Sequence, residues 1–173
     1  MRVNALLTGT VGSGKSAIIE RIINDQFDSK YFVTIGRKSA TKQLLLNNEN
    51  VDVVFLDCQG EVLQNKVPNL SFVGQDLILY IVDLSRQTSF KNIKKDLDFF
   101  EQNYPEIRVK ILLNKSDLFE ADQLEAVLQK LDMVSFHGVI SAKSGANIMK
   151  LLESFILEIL QGKSMTNQTR GAA

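Results

Sequence analysis

Apolar and polar positions change their period along the 173-residue chain, and the change marks the elements. Short apolar or alternating runs near 2–8, 40–46, 51–57, 76–83, 108–113 and 136–140 predict strands. Between them, 15–25, 88–103, 120–131 and 145–161 carry helical spacing. In the last, Ile148, Leu151, Leu152, Phe155, Ile156, Ile159 and Leu160 recur at i, i+3 and i+4, and they read as core. Leu77 to Val82 is continuously apolar, as in a strand covered on both faces. Asn47-Asn48-Glu49-Asn50 reads as a hairpin turn, which sets the second strand antiparallel to the third. Strands alternating with helices predict an α/β fold: a doubly wound, mostly parallel six-stranded sheet with helices on both faces. No internal repeat or linker breaks it. From Gly162 the periodicity stops, so one domain over 1–161 and a mobile tail over 162–173 are expected.

The first strand runs into Gly9-Thr10-Val11-Gly12-Ser13-Gly14-Lys15-Ser16, and a helix opens directly after it at Ala17. The string fits G-x-x-x-x-G-K-[ST], a phosphate-binding loop. Glycines let backbone N–H groups converge on phosphate oxygens. Val11, Gly12, Ser13, Gly14, Lys15, Ser16 and Ala17 are the expected cradle, seated at a helix N-terminus whose exposed N–H groups favour anions. Lys15 reaches the outer phosphates, and the Ser16 hydroxyl suits Mg²⁺.

Asn114-Lys115-Ser116-Asp117 follows the apolar run at 109–113 and points to the base. An ionised carboxylate only accepts hydrogen bonds, so Asp117 suits the ring N–H and amino group of guanine, a donor pair that adenine lacks on that edge. Asn114 would tie neighbouring loops, and the Lys115 stem would lie along the base. In Ser141-Ala142-Lys143, the Ala142 N–H suits the guanine carbonyl. Phe27 and Tyr31 are expected beside the nucleotide, with Phe27 at the base edge. Thr34 offers a second hydroxyl to Mg²⁺ when a γ-phosphate is bound. Asp57 ends a buried strand and suits Mg²⁺ through water, because that ion dehydrates reluctantly.

Taken together, G-T-V-G-S-G-K-S at 9–16, T-I-G at 34–36, D-x-x-G from Asp57 to Gly60, N-K-S-D at 114–117 and S-A-K at 141–143 resemble a small GTPase of the Ras superfamily, nearest the Rab branch. Ile81-Val82-Asp83-Leu84-Ser85 followed by Ser89-Phe90 is similar to the Rab pattern, and the likeness spans roughly 1–161. The resemblance implies a P-loop NTPase G domain that binds GTP and GDP with Mg²⁺ and hydrolyses GTP. It implies that Gly60 senses the γ-phosphate through its N–H, and that effectors and regulators dock over 31–40 and 59–73.

The departures from the family carry sharper expectations. Asp57-Cys58-Gln59-Gly60-Glu61 stands where D-T-A-G-Q is usual. Glu61 thus replaces the glutamine that orients the attacking water. A carboxylate accepts from water but donates nothing at neutral pH, and it repels the γ-phosphate. Val11 replaces a glycine or serine and crowds the space of the water-positioning residue and of an arginine finger. Gln59 is larger than the usual alanine and approaches the phosphates itself. Slow hydrolysis is expected, with Lys15, Thr34, Gly60, Glu61 and Gln59 as the catalytic set. Pro68 would break or cap any helix in 62–68.

Balanced charge, with 20 basic and 20 acidic residues, gives no global reason to expect nucleic acid or an acidic membrane. A lone cysteine, Cys58, excludes an internal disulfide. No apolar run spans a bilayer, and no prenylation cysteine stands near Ala173. A monomer in the cytoplasm is expected, meeting membranes only through a partner. His137 reads as a packing histidine, and Lys91, Lys94 and Lys95 as a solvated helix face. A second reading is a pseudo-GTPase that binds nucleotide as an interaction module. A small-molecule P-loop kinase leaves Asn114 to Asp117 unexplained.

Overall fold

The computed structural model describes residues 1–28, 36–58, 60, 63–131 and 135–170, with side chains through 163. Strands β1 (Arg2–Gly9), β2 (Arg37–Leu46), β3 (Glu49–Cys58), β4 (Leu77–Asp83), β5 (Arg108–Asn114) and β6 (Gly138–Val139) form one sheet in the order β2-β3-β1-β4-β5-β6. β2 pairs antiparallel with β3, and every other pairing is parallel. Helices α1 (Lys15–Asn24), α2 (Ile93–Asn103), α3 (Ala121–Gln129) and α4 (Ile148–Arg170) connect and flank the strands. This is the doubly wound α/β fold that the alternating pattern predicts.

The period-2 geometry of a strand divides the core in two. Leu77, Leu79 and Ile81 of β4 join Ile18 and Ile22 of α1 and Ile148, Leu152 and Phe155 of α4. Ile78, Tyr80 and Val82 face the other way, onto Ile93 and Phe100 of α2 and onto Phe72. All seven β4 residues are buried, as the unbroken apolar run requires.

The β2–β3 turn is tighter than the four residues expected. Asn47 (φ 50°) and Asn48 (φ 63°) make a two-residue connection closed by Leu46 opposite Glu49, and asparagine tolerates this left-handed region well. β2 begins at Arg37 rather than 40, because Arg37, Lys38 and Ser39 pair with Cys58, Asp57 and Leu56. Their exposed polar side chains suit an edge strand and hide it from an apolar pattern. α2 begins at Ile93, not 88, since a 3₁₀ turn at Gln87–Ser89 comes first. Two 3₁₀ turns, Gln64–Lys66 and Asn69–Ser71, fill the stretch before β4, with Pro68 heading the second.

Helical backbone enters the stretch expected as a tail. α4 runs on to Arg170, past the last apolar residue of its stripe, Leu160. Extending an existing helix costs far less than starting one, so helical backbone outlasts the apolar stripe.

Candidate functional site

The C-terminal ends of the parallel strands carry the loops that the motifs occupy. β1 leads into the phosphate loop, and Gly14 (φ 97°) is the residue before α1. A β-carbon on Gly14 would lie 2.3 Å from Asn114 Nδ2, so both conformation and close approach require glycine. The Ile18 N–H makes an early helical bond to the Gly14 carbonyl at 2.9 Å. The N–H groups of Lys15, Ser16 and Ala17 lie in the first turn, where no carbonyl precedes them in the helix. Lys15 is only 6 % exposed. Its ammonium lies inside the loop, donating to the carbonyls of Gly9 (3.2 Å) and Thr10 (3.0 Å).

Two neighbouring strand ends close on this loop. The Ser16 hydroxyl donates to Asp57 Oδ2 at 2.5 Å, which brings two of the expected Mg²⁺ ligands together. Gly60 backs onto the loop: a β-carbon there would lie 2.7 Å from Lys15 Nζ and from Val11 Cα. The Val11 side chain is 43 % exposed, so it stands open at the mouth of the loop rather than packed away.

On the other side, Asn114 bridges the motifs. Its Nδ2 donates to the Ser13 carbonyl at 2.9 Å, and its Oδ1 accepts the Ala142 N–H at 3.0 Å. The amide matched to the guanine carbonyl is thus held by Asn114 here. Asp117 Oδ1 accepts from the Ser141 hydroxyl at 2.5 Å, and Lys143 Nζ stands 4.0 Å from Asp117 Oδ2. Phe27, 38 % exposed, lies just beyond α1.

The Ras family model matches residues 4–161. The chain belongs to the Ras family. It is a Rab-like small GTPase, since its curated relatives carry Rab names. It is 26 % identical to Ras-related protein Rab5A of Oryza sativa subsp. japonica over 170 residues, 96 % of this chain and 84 % of that protein. It is 28 % identical to Ras-related protein Rab-31 of Mus musculus over 157 residues, 88 % of this chain and 80 % of that protein. With Ras-related protein RABF2a of Arabidopsis thaliana the identity is 27 % over 147 residues, 83 % and 74 % of the two chains.

Around these motifs the Rab-like GTPase makes polar contacts that its sequence does not announce. Asp83, at the end of β4 and 0 % exposed, accepts from Lys115 Nζ at 2.7 Å and Arg86 Nε at 2.8 Å through one oxygen. Its other oxygen accepts from the Ser85 hydroxyl (2.6 Å) and N–H (3.0 Å). Burial opposes the charge, but bonds from Lys115 and Ser85 and the Lys115 charge outweigh it and hold the Asp83 carboxyl below its usual range. Lys115 (φ 71°) therefore has its ammonium anchored on Asp83. Arg21 of α1 ties down the third motif, donating to the Ala142 carbonyl at 3.1 Å and the Lys143 carbonyl at 2.5 Å.

The segment after β3 is held differently. The buried Gln64 donates its N–H to Asp96 Oδ1 at 2.9 Å, and its side-chain oxygen accepts from the Thr8 hydroxyl. Tyr80 donates its hydroxyl to Asp96 Oδ2 at 2.7 Å. Burial raises the Asp96 carboxyl above its usual range, against the bonds from Gln64 and Tyr80 that lower it. No motif points to this network. Tyr31, Thr34, Gln59 and Glu61 lie outside the described residues. His137 has a packing role: Nδ1 accepts the Ile111 N–H at 3.1 Å and the ring meets Phe155 edge-on. No cluster of three or more His, Cys, Asp or Glu suited to a metal occurs among the described residues.

Proposed function

We propose that this Rab-like protein is a guanine-nucleotide switch that binds GTP and GDP with Mg²⁺ and hydrolyses GTP slowly. The observation that carries the reading is Asn114, bonded to the Ser13 carbonyl and to the Ala142 N–H, which joins the phosphate loop to both base-reading motifs. A base read by Asp117 and Ala142 then has its phosphates at the N-terminus of α1.

The residues present fit Mg²⁺. Ser16 Oγ and Asp57 Oδ2 supply two hard oxygens side by side, and Mg²⁺ completes its shell from waters and phosphate oxygens. When bound, it neutralises charge on the transferred phosphoryl group. In the reaction, a water oxygen forms a bond to the γ-phosphorus while the bond to the β–γ bridging oxygen breaks; GDP departs with the bridging oxygen, and the water's two protons leave on the released phosphate as dihydrogen phosphate. Lys15 leaves the Gly9 and Thr10 carbonyls for the outer phosphates and offsets the charge that develops there. The Gly60 N–H, already at the loop, reads the γ-phosphate. Glu61 orients water less well than a glutamine, and Val11 narrows the space for it. Partners are proposed to read 31–40 and 59–73, where Leu70 and Val73 present exposed apolar side chains. No helix among the described residues is long and apolar enough to cross a membrane. Membrane contact is assigned to a partner.

Competitive binding of GDP, XDP and ADP tests the base. The parent should prefer GDP, and Asp117→Asn should shift preference towards XDP, whose carbonyl needs a donor at that edge. ADP binding by the parent, or unchanged preference in the variant, sinks the assignment. Single-turnover hydrolysis by the parent, Val11→Gly, Glu61→Gln and the double variant tests the rate. Recovery should be largest in the double variant, since both changes act on one small volume. An arginine finger is worth roughly 10³–10⁵ in rate, so the deficit should be widest in the activated reaction. Brisk turnover by the parent overturns slow hydrolysis. No turnover by any of the four, with tight GTP binding, favours the interaction-module reading.

A further inference from the structure

Arg86 is an unassigned side chain aimed at the phosphate loop. It follows β4 in a short turn, with its N–H on the Asp83 carbonyl at 3.2 Å. Its guanidinium makes a three-point contact: Nε to Asp83 Oδ2 at 2.8 Å, Nη1 to the Val11 carbonyl at 3.1 Å, and Nη2 to the Gly12 carbonyl at 3.0 Å. The fit is close on the loop side as well. Gly12 has φ 74°, and a β-carbon on it would lie 2.3 Å from Arg86 Nη2. The guanidinium thus fills the volume that any other residue at position 12 would need.

Peptide planarity turns these contacts into a statement about the opposite side of the loop. In a trans peptide, the carbonyl of one residue and the N–H of the next point in opposite directions. With the Val11 and Gly12 carbonyls held outward by Arg86, the N–H groups of Gly12 and Ser13 face inward. The inward side is the one where Lys15 Nζ lies against the Gly9 and Thr10 carbonyls, and the Ser13 N–H does close on the Thr10 carbonyl at 3.2 Å. Asn114 repeats the device one peptide further on: it holds the Ser13 carbonyl, which turns the Gly14 N–H inward. Consecutive peptides at 11–12, 12–13 and 13–14 are therefore set from outside by two side chains, one from the turn after β4 and one from the last residue of β5. Asn114 belongs to a motif; Arg86 does not.

We propose that Arg86 is a positioning residue of the phosphate site, holding the Val11 and Gly12 peptides so that the Gly12 and Ser13 amides face the outer phosphates of a bound nucleotide. A guanidinium suits the task because three nitrogens in one rigid plane hold Asp83 and both loop carbonyls in a fixed geometry, which the single nitrogen of an ammonium does not preset. Asp83 completes the device. It fixes Arg86 through Nε and Lys115 through Nζ, so one buried carboxylate sets the phosphate loop and the base-side lysine together. The inference rests on the proposed binding of guanine nucleotide, and it adds the residue that shapes the first half of the loop.

The test measures GDP, GTP and GMP binding to the parent, Arg86→Ala and Arg86→Lys, with the ³¹P spectrum of bound GDP and the urea midpoint of each protein. Arg86→Ala loses all three guanidinium contacts, two of them charge-assisted hydrogen bonds to the phosphate loop, so GDP and GTP should weaken about tenfold to a hundredfold. GMP, which has no outer phosphate, should change less than about threefold, on the same reasoning. The β-phosphorus resonance should move more than the α. Arg86→Lys should recover only part of the loss. Equal weakening for all three nucleotides, or a parent-like GDP affinity in a folded Arg86→Ala, overturns the inference and leaves the nucleotide-binding reading intact. A parent that binds none of the three overturns that reading, and this one with it.

Discussion

Asp83 and Asp96 are the same residue type at nearly the same burial, 0 % and 1 % exposed, yet their surroundings push their carboxyls in opposite directions. Asp83 meets two cations, Lys115 and Arg86, and stays charged. Asp96 meets neutral donors, the Gln64 N–H and the Tyr80 hydroxyl, and its charge is poorly compensated. The difference separates two kinds of polar construction around one sheet. At the end of β4 one buried carboxylate lies between two cations, and its charge is compensated. Behind the segment that follows β3, a polar network instead pins Gln64 to α2 and β1 through a carboxylate that accepts from neutral donors.

Replacing Asp83 should have the largest effect. Asp83→Asn keeps the volume and one acceptor, but leaves Lys115 and Arg86 without their counter-charge. Hydrogen bonds to charged groups contribute about 1.5–3 kcal/mol. The lower part of that range is expected, because the Lys115 and Arg86 side chains are 29 % and 47 % exposed and can turn to water. GDP affinity should fall by about tenfold or more, since the phosphate loop and the base-side lysine lose a shared anchor. Urea denaturation and GDP competition read the two effects. A variant with parent stability and parent affinity would dissolve the contrast from the Asp83 side.

The contrast also fixes a pH dependence. The folded Asp83 carboxyl lies below its unfolded value of about 3.9, so its contribution is fully present above that value. It is lost as pH falls through the lowered folded value. The stability gap between the parent and Asp83→Asn should therefore be flat from about pH 5 to 8 and close only below about pH 4. Urea midpoints across this range check it. A gap that already closes between pH 6 and 5 would mean that Lys115 and Arg86 do not hold the charge.

The two regions differed equally in how far the sequence disclosed them. The residues proposed to face the ligand lie in contiguous strings, Gly9 to Ser16, Asn114 to Asp117 and Ser141 to Lys143, and each string carries its chemistry locally. The strands were legible for the same reason, through local period. Asn114, which ties the loops together, is legible from its motif, but the other groups that hold these pieces are long-range and leave no local trace. Arg86 meets a carbonyl 74 residues away, Arg21 one that is 121 away, and the Gln64 N–H a carboxylate 32 away. Within 88–103 nothing in the spacing marks Asp96, and only the fold turns it inward against Tyr80. The start of β2 was hidden likewise, because Arg37 to Ser39 are strand by virtue of their partners on β3 and not of their own character.

Asp96→Asn is the smallest expected effect and the most exacting check of the contrast. Asparagine keeps an oxygen for the Gln64 N–H, and its amide can donate to the Tyr80 oxygen, so the network survives with its direction reversed at one bond. The cost of burying an under-compensated carboxylate disappears. At pH 7 the variant should match the parent within about 1 kcal/mol, with any difference in the variant's favour. Acid removes that advantage. The folded Asp96 carboxyl takes up its proton above the unfolded value of about 3.9, so in that window the folded state binds more protons and the parent gains stability as pH falls. The variant lacks this gain, and the balance should move towards the parent between neutral pH and about pH 4. That drift is opposite to the one expected for Asp83→Asn, whose gap only narrows in acid. A large loss in Asp96→Asn at pH 7, or a drift in the same direction for both variants, would show that the two carboxylates do one job and that the two regions are not built on different terms.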